Sequence, residues 1–171
     1  MRRAIVGATA AGFLGCILAA NYVTTELGMI PVGFGYVATA GTYLAGLTFV
    51  LRDSIQDAIG KRAVLALILI GGALSYAISD PFIALASAVA FTAAELTDLA
   101  VYSPLRRRGY IRAAVASNVV GAALDTVLFL WIAGFPIAEA WQGQMVGKLA
   151  VTLAVVLAVA GYRAQRRAVT A

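Results

Sequence analysis

The sequence predicts an all-α integral membrane protein, a bundle of six transmembrane helices with both termini in the cytoplasm. Composition is the first reason: the 171 residues are 62% hydrophobic and 12% charged, whereas a soluble domain is about 25% charged. The second reason is the succession of six apolar stretches, long enough in most cases to cross a bilayer. The third is the placement of the basic residues between them.

The six predicted spans make up one domain over residues 1–171. Span one follows Arg2 and Arg3, a start that is also typical of a secretory signal peptide; five further apolar stretches favour a transmembrane helix instead. Span two follows Pro31 and is rich in glycine, which lets membrane helices approach closely. The predicted spans cover residues 4–20, 32–51, 63–79, 82–102, 113–133 and 145–161.

Turn signals separate the later spans. Asp80-Pro81 divides spans three and four, and Ser103-Pro104 ends span four. Gly134 and Pro136 end span five, and residues 139–144 are expected to form an interfacial loop before span six.

The basic residues fix the predicted orientation. Twelve of the thirteen Lys and Arg residues lie before span one, between spans two and three, between spans four and five, or after span six, and Lys148 is the exception. The opposite connections carry Glu26, Asp80 and Glu139 and no basic residue. The positive-inside rule therefore places both termini in the cytoplasm of a multi-pass protein.

The composition also argues against several functional classes. The chain has no His and a single Cys, Cys16, so it cannot form an internal disulfide and has no Ser-His or Cys-His pair for nucleophilic catalysis. We therefore expect no enzyme activity, no cofactor and no bound metal. The lipid bilayer is an expected partner and a homodimer is compatible with the sequence, but the net charge of +5 does not require nucleic acid.

Ionisable residues inside the spans predict the functional site. Glu95 and Asp98 lie three residues apart on one face of span four, and Asp125 lies near the middle of span five. Lys148 on span six is the natural partner for one of these acids. Intramembrane charges usually face a bundle interior or a wet cavity. We expect Glu95, Asp98, Asn118 and Asp125 to line one cavity, with Asp53 closing it from span two.

The residues leave the ligand open. Carboxylates accept hydrogen bonds from a donor pair, such as the ring N–H and amine of a guanine edge. Aromatic side chains can stack on a flat ring, and the candidates are Phe91, Tyr102, Phe129 and Trp131. A cationic substrate or a proton would also suit the acids.

The ordered motifs resemble a known family. The segment from Thr48 to Arg62 resembles the family's apolar run followed by Asp, a second polar position and Gly before basic residues. The later motifs are Phe91…Glu95…Asp98…Tyr102…Leu105-Arg106 and Ser117-Asn118…Asp125-Thr126…Phe129…Phe135, with Asn21 and Lys148 in matching places. Together they resemble the queuosine precursor transporter family, also called vitamin uptake transporters.

The resemblance implies uptake of a 7-deazaguanine-type small molecule, a queuosine precursor, across the inner membrane. The alternative is a ligand-binding membrane subunit of a modular vitamin or base importer that needs a separate energising partner. A structural membrane protein is a third class, in which replacement of Asp125 by Asn would leave function intact.

Overall fold

The computed structural model confirms a six-helix architecture and adds one short β-hairpin. It describes residues 2–105, 107 and 110–169. The elements in chain order are α1 (Arg2–Leu27), β1 (Met29–Gly33), β2 (Tyr36–Thr39), α2 (Thr42–Ile59), α3 (Lys61–Ile78), α4 (Pro81–Leu105), α5 (Tyr110–Ile132) and α6 (Ile137–Val169).

The surface of the bundle is apolar and much of its interior is polar. Three helices are long and apolar enough to cross a membrane among the residues described: Arg3–Leu27, Lys61–Ile78 and Pro81–Asp98. Large apolar side chains such as Leu69, Leu153 and Trp131 are more than half exposed, whereas Glu95, Thr126 and Gln144 are buried. Soluble monomers rarely expose such a large apolar surface, so this distribution of side chains indicates a lipid environment.

The helices pack as neighbours in the chain and also across it. α1 packs against α2 and α3, α4 lies along α5, and α6 contacts α2, α5 and β2. Side-chain contacts align one end of the bundle: Thr25 accepts from the backbone N–H of Asp80, and Gln144 donates to Thr39. We call this the hairpin end. The opposite end, which holds the α2–α3 and α4–α5 connections, is the basic end.

Asp80 begins α4 in the way its sequence predicts. Its Oδ1 accepts hydrogen bonds from the backbone N–H groups of Phe82 and Ile83, at 2.8 and 3.1 Å. An Asp cap satisfies N–H groups that have no partner within a helix. Pro81, in the first helical position, has no N–H to satisfy. The pair therefore forms a sharp turn between α3 and α4.

The predicted second span is wrong over its first half. Residues 32–41 were expected to be helical, but the chain forms the antiparallel hairpin β1–β2 and α2 begins only at Thr42. The tip explains the difference, because Phe34 and Gly35 adopt φ values of 54° and 77°. Positive φ at two successive positions matches the tight turns that join hairpin strands. The glycines here serve the turn and were misread as helix-packing residues.

Two helices, α1 and α6, extend well beyond their predicted spans. α1 continues through Asn21 and Thr24 to Leu27, where Gly28 with a φ of 61° ends it. α6 begins at Ile137, so residues 139–144 are helical and do not form the expected loop. In both cases polar side chains were mistaken for a helix boundary. No Gly or Pro interrupts α1 at residues 21–27, and Gly143 is accommodated inside α6.

Candidate functional site

A small buried cavity lies between the hairpin end and the middle of the bundle. The space that the centre of a water-sized sphere can occupy in it is about 40 Å³. The cavity therefore holds only a few waters. Its walls come from α1, β2, α2, α4, α5 and α6, and include Asn21, Thr39, Phe91, Asp125, Gln144 and Lys148.

A buried ion pair joins α5 and α6 at the cavity wall. Lys148 Nζ lies 2.7 Å from Asp125 Oδ2 and also donates to Thr126 Oγ1 at 2.9 Å. The side chains of Lys148 and Asp125 are 3% and 6% exposed. A Cβ on Gly46 would lie 2.9 Å from the Lys148 carbonyl oxygen, so this glycine lets α2 approach α6 where Lys148 stands. The predicted pairing of Lys148 with an acid on span four or five is confirmed.

A hydrogen-bonded wall closes the cavity toward the hairpin end. Gln144 Nε2 donates to Thr39 Oγ1 at 2.9 Å, and Thr42 Oγ1 donates to the Thr39 carbonyl at 2.7 Å. Thr24 Oγ1 accepts from the backbone N–H of Gly41 at 3.0 Å. These bonds tie α6, β2, α2 and α1 together, so the end of the hairpin is part of the cavity wall.

Three phenylalanines form an aromatic layer on the side of the basic end. Phe91 lines the cavity and stacks on Phe49 with ring centroids 5.1 Å apart. Phe13 meets Phe91 edge to face at 6.0 Å. The guanidinium of Arg52 lies 5.5 Å from the Phe49 ring centroid on the other side of the layer. The aromatic layer therefore separates the cavity from the charges beyond it.

A charged cluster lies beyond the aromatic layer. Arg52 Nη1 is 3.0 Å from Glu95 Oε2, and Arg52 Nη2 is 2.7 Å from Asp53 Oδ1. Lys61 Nζ lies 4.0 Å from Asp98 Oδ2. Glu95 is fully buried, whereas the Asp53 side chain is 51% exposed. The cluster thus runs from the bundle interior to its surface at the basic end.

The structure divides the predicted site into two groups. Asp125 and Lys148 line the cavity, whereas Glu95, Asp98 and Asp53 belong to the charged cluster and are not among the cavity-lining residues. Asn118 lies on α5, but its side chain is outside the described part of the chain, as is that of Tyr102. The expectation of one shared cavity is therefore corrected, because Arg52 holds Glu95 on the far side of the aromatic layer.

The aromatic candidates divide in the same way. Phe91 and Phe129 line the cavity. Trp131 is 69% exposed on the outside of the bundle, so it cannot stack on a ligand in this cavity.

Sequence reasoning missed several polar residues of the site. Arg52 was placed in a polar connection, yet it is 3% exposed. Its spacing was an available signal, since Thr48, Arg52 and Ile55 share the buried face of α2. Gln144 and Thr39 carried no comparable signal, because their roles depend on the hairpin. No group of three or more metal-ligating side chains occurs among the described residues.

Comparison with known proteins shows that the chain matches one protein family. Residues 77–162, just over half of the chain, match the family described as "Putative vitamin uptake transporter". The matched region holds α4, α5 and the part of α6 with Lys148, and it agrees with the resemblance of the motifs. No curated protein and no solved structure matches the chain. A transporter family favours transport over enzyme activity, and by this match the chain belongs to the vitamin uptake transporter family.

Proposed function

We propose that this protein imports queuosine precursors, 7-deazaguanine bases such as preQ0 and preQ1, across the inner membrane. Family membership supports transport of a small molecule. The observation that carries the substrate class is the buried carboxylate of Asp125 on the wall of a cavity that also contains amide and aromatic side chains. Such a cavity suits a flat, polar ring.

The chemistry of the cavity matches a guanine-type edge. The carboxylate of Asp125 accepts hydrogen bonds, so it can receive the ring N–H and the exocyclic amine of the base. The ammonium group of Lys148 balances the negative charge of the Asp125 carboxylate, which would be unfavourable alone in the bundle interior. Phe91 and Phe129 line the cavity and are the aromatic side chains there on which a heterocycle would stack.

The small cavity suits a closed state of a transporter. With about 40 Å³ of space for the centre of a water-sized sphere, the proposal requires the cavity to widen when a bicyclic base enters. The hydrogen-bonded wall lies toward the hairpin end and the aromatic layer toward the basic end. Opening of one and then the other would expose the base to the two sides of the membrane in turn.

Transport measurements on acid-to-amide variants test the proposal. Asp125→Asn keeps the shape of the side chain but replaces an acceptor by a donor, so ligand donors lose their partner at about 1–3 kcal/mol, or more than fivefold in affinity. Glu95→Gln removes the buried counter-ion of Arg52. We expect each to abolish most uptake. Asp57→Asn is the matched control at an exposed position, with a smaller effect.

Two assays make the result specific. In a cell deficient in queuosine synthesis and uptake, the wild-type protein should restore queuosine-modified transfer RNA when a precursor is supplied. In liposomes, the purified protein alone should transport the base; transport only with a second component would favour the modular importer. Wild-type uptake by both Asp125→Asn and Glu95→Gln at matched expression would refute the assignment.

A further inference from the structure

One buried amide of the cavity has no hydrogen-bond partner. Asn21, on α1, is 3% exposed and lines the cavity. Its Nδ2 has no partner, and within the described part of the chain no other cavity-lining side chain has a buried nitrogen or oxygen in this condition. A buried donor without an acceptor is unfavourable, which calls for a partner that the protein itself does not supply.

The neighbouring polar groups are engaged with the protein. Lys148 Nζ bonds Asp125 and Thr126, and Gln144 Nε2 bonds Thr39. Thr48 Oγ1 donates to the carbonyl of Ala45 at 2.6 Å. These bonds leave the Asn21 amide as a donor available to a molecule that enters the cavity.

The proposed substrate presents a matching acceptor. On a guanine-type ring, the carbonyl is adjacent to the ring N–H and so lies on the edge that Asp125 would bind. We infer that Asn21 determines specificity by donating a hydrogen bond to this carbonyl, so that the cavity selects 6-oxo bases over 6-amino bases. The inference rests on the proposed function, because it assumes that Asp125 accepts from the same base.

Binding of two bases to the purified full-length protein tests this role. The probes are 7-deazaguanine and 2,6-diamino-7-deazapurine. They differ in the 6-substituent and in N1, which carries a hydrogen only in the 6-oxo base, so each base is compared between variant and wild-type protein. Asn21→Leu removes the donor with little change of volume. We expect it to weaken 7-deazaguanine about tenfold, the effect of one hydrogen bond of about 1.4 kcal/mol. Binding of the 6-amino base should change by less than about twofold, so that the affinity ratio falls.

A second variant and a control complete the experiment. Asn21→Asp, whose ionised side chain only accepts hydrogen bonds, should lower the same ratio if the Leu variant does not fold. Gln56→Leu is the matched control, because Gln56 also has a buried amide atom without a partner but does not line the cavity. It should leave the ratio unchanged.

The outcomes separate this inference from the proposed function. An unchanged ratio in the Asn21 variants, or equal weakening of both bases, would overturn the inference alone and identify Asn21 as a structural residue. A wild-type protein that binds neither base would overturn the proposed function and the inference with it.

Discussion

Asp125 and Lys148 are mutually dependent because neither charge has access to bulk water. Both side chains are more than nine-tenths buried, and their closest atoms are 2.7 Å apart. Removal of one partner from such a pair leaves an uncompensated buried charge, which is usually more harmful than removal of both. Each side chain therefore depends on the other in the folded protein, in addition to its place in the proposed ligand site.

We expect Lys148→Met to destabilise the protein by about 3–5 kcal/mol, since it strands the Asp125 carboxylate. The double variant Asp125→Asn/Lys148→Met removes both charges and should recover part of that loss. Thermal unfolding of the detergent-solubilised protein measures both effects. Uptake should fail in both variants, because each alters the proposed site.

Lys61→Met is the control for this experiment. Lys61 lies 4.0 Å from Asp98, and its side chain is 28% exposed, so its loss should cost less than about 1 kcal/mol. Equal unfolding temperatures for Lys148→Met and the wild-type protein would show that the buried pair does not stabilise the fold.

Arg52 shows what a sequence can and cannot predict at the scale of a residue. The acids were found because a carboxylate in an apolar run is conspicuous. Arg52 was not, because it stands where an apolar run ends and where the positive-inside rule expects a solvated cation. Only the packing of α2 against the other helices shows that it faces Glu95.

At the scale of elements, the contact of α6 with the hairpin depends on Gly143. A Cβ at this position would collide with the carbonyl oxygen of Val37 on β2. This contact brings the hairpin beside α6, where Gln144 reaches Thr39. Because Gly143 has no side chain, β2 can pack directly against α6, and Thr39 at the end of β2 can then form part of the cavity wall.

We expect Gly143→Ala to destabilise the protein by about 1–3 kcal/mol, because the new methyl group forces the hairpin away from α6. Gly15→Ala is the matched control, since Gly15 is also helical but has open space around its Cβ position. It should be neutral or stabilising by up to about 1 kcal/mol. Thermal unfolding distinguishes the two, and equal midpoints would contradict the packing argument.

The helices whose ends are marked by helix-breaking residues were the ones predicted most accurately from the sequence. α3, α4 and α5 begin and end within three residues of their predicted bounds, because Gly60, Asp80-Pro81 and Gly134 each mark a boundary. The predicted stop at Ser103-Pro104 is wrong, since α4 runs through Pro104 to Leu105. The hairpin was missed because its glycines fit two interpretations, close helix packing and a tight turn, and only the backbone distinguishes them. One wall of the cavity depends on the hairpin, and the separation of the cavity from the charged cluster depends on the stacking of Phe91 on Phe49. Neither contact has a signal in the sequence.

At the scale of the molecule, polar and aromatic layers alternate along the bundle axis. The hydrogen-bonded wall at the hairpin end is followed by the cavity, the aromatic layer and then the charged cluster at the basic end. Their order implies that a substrate passing through the cavity crosses two different barriers, one held by hydrogen bonds and one by stacked rings. The direction of uptake depends on which end faces outward.

We expect the hairpin end to face the outside of the cell, because basic residues gather at the opposite end. Glu26 and Glu139 are exposed near the hairpin end, and Asp57 is exposed near the basic end. With Cys16 replaced by Ala, cysteine at position 26 or 139 should react with a membrane-impermeant maleimide on intact cells. Cysteine at position 57 should react only after the membrane is opened. Labelling of positions 26 and 139 only in opened cells would reverse the orientation, and import through the hydrogen-bonded wall would no longer be the first step.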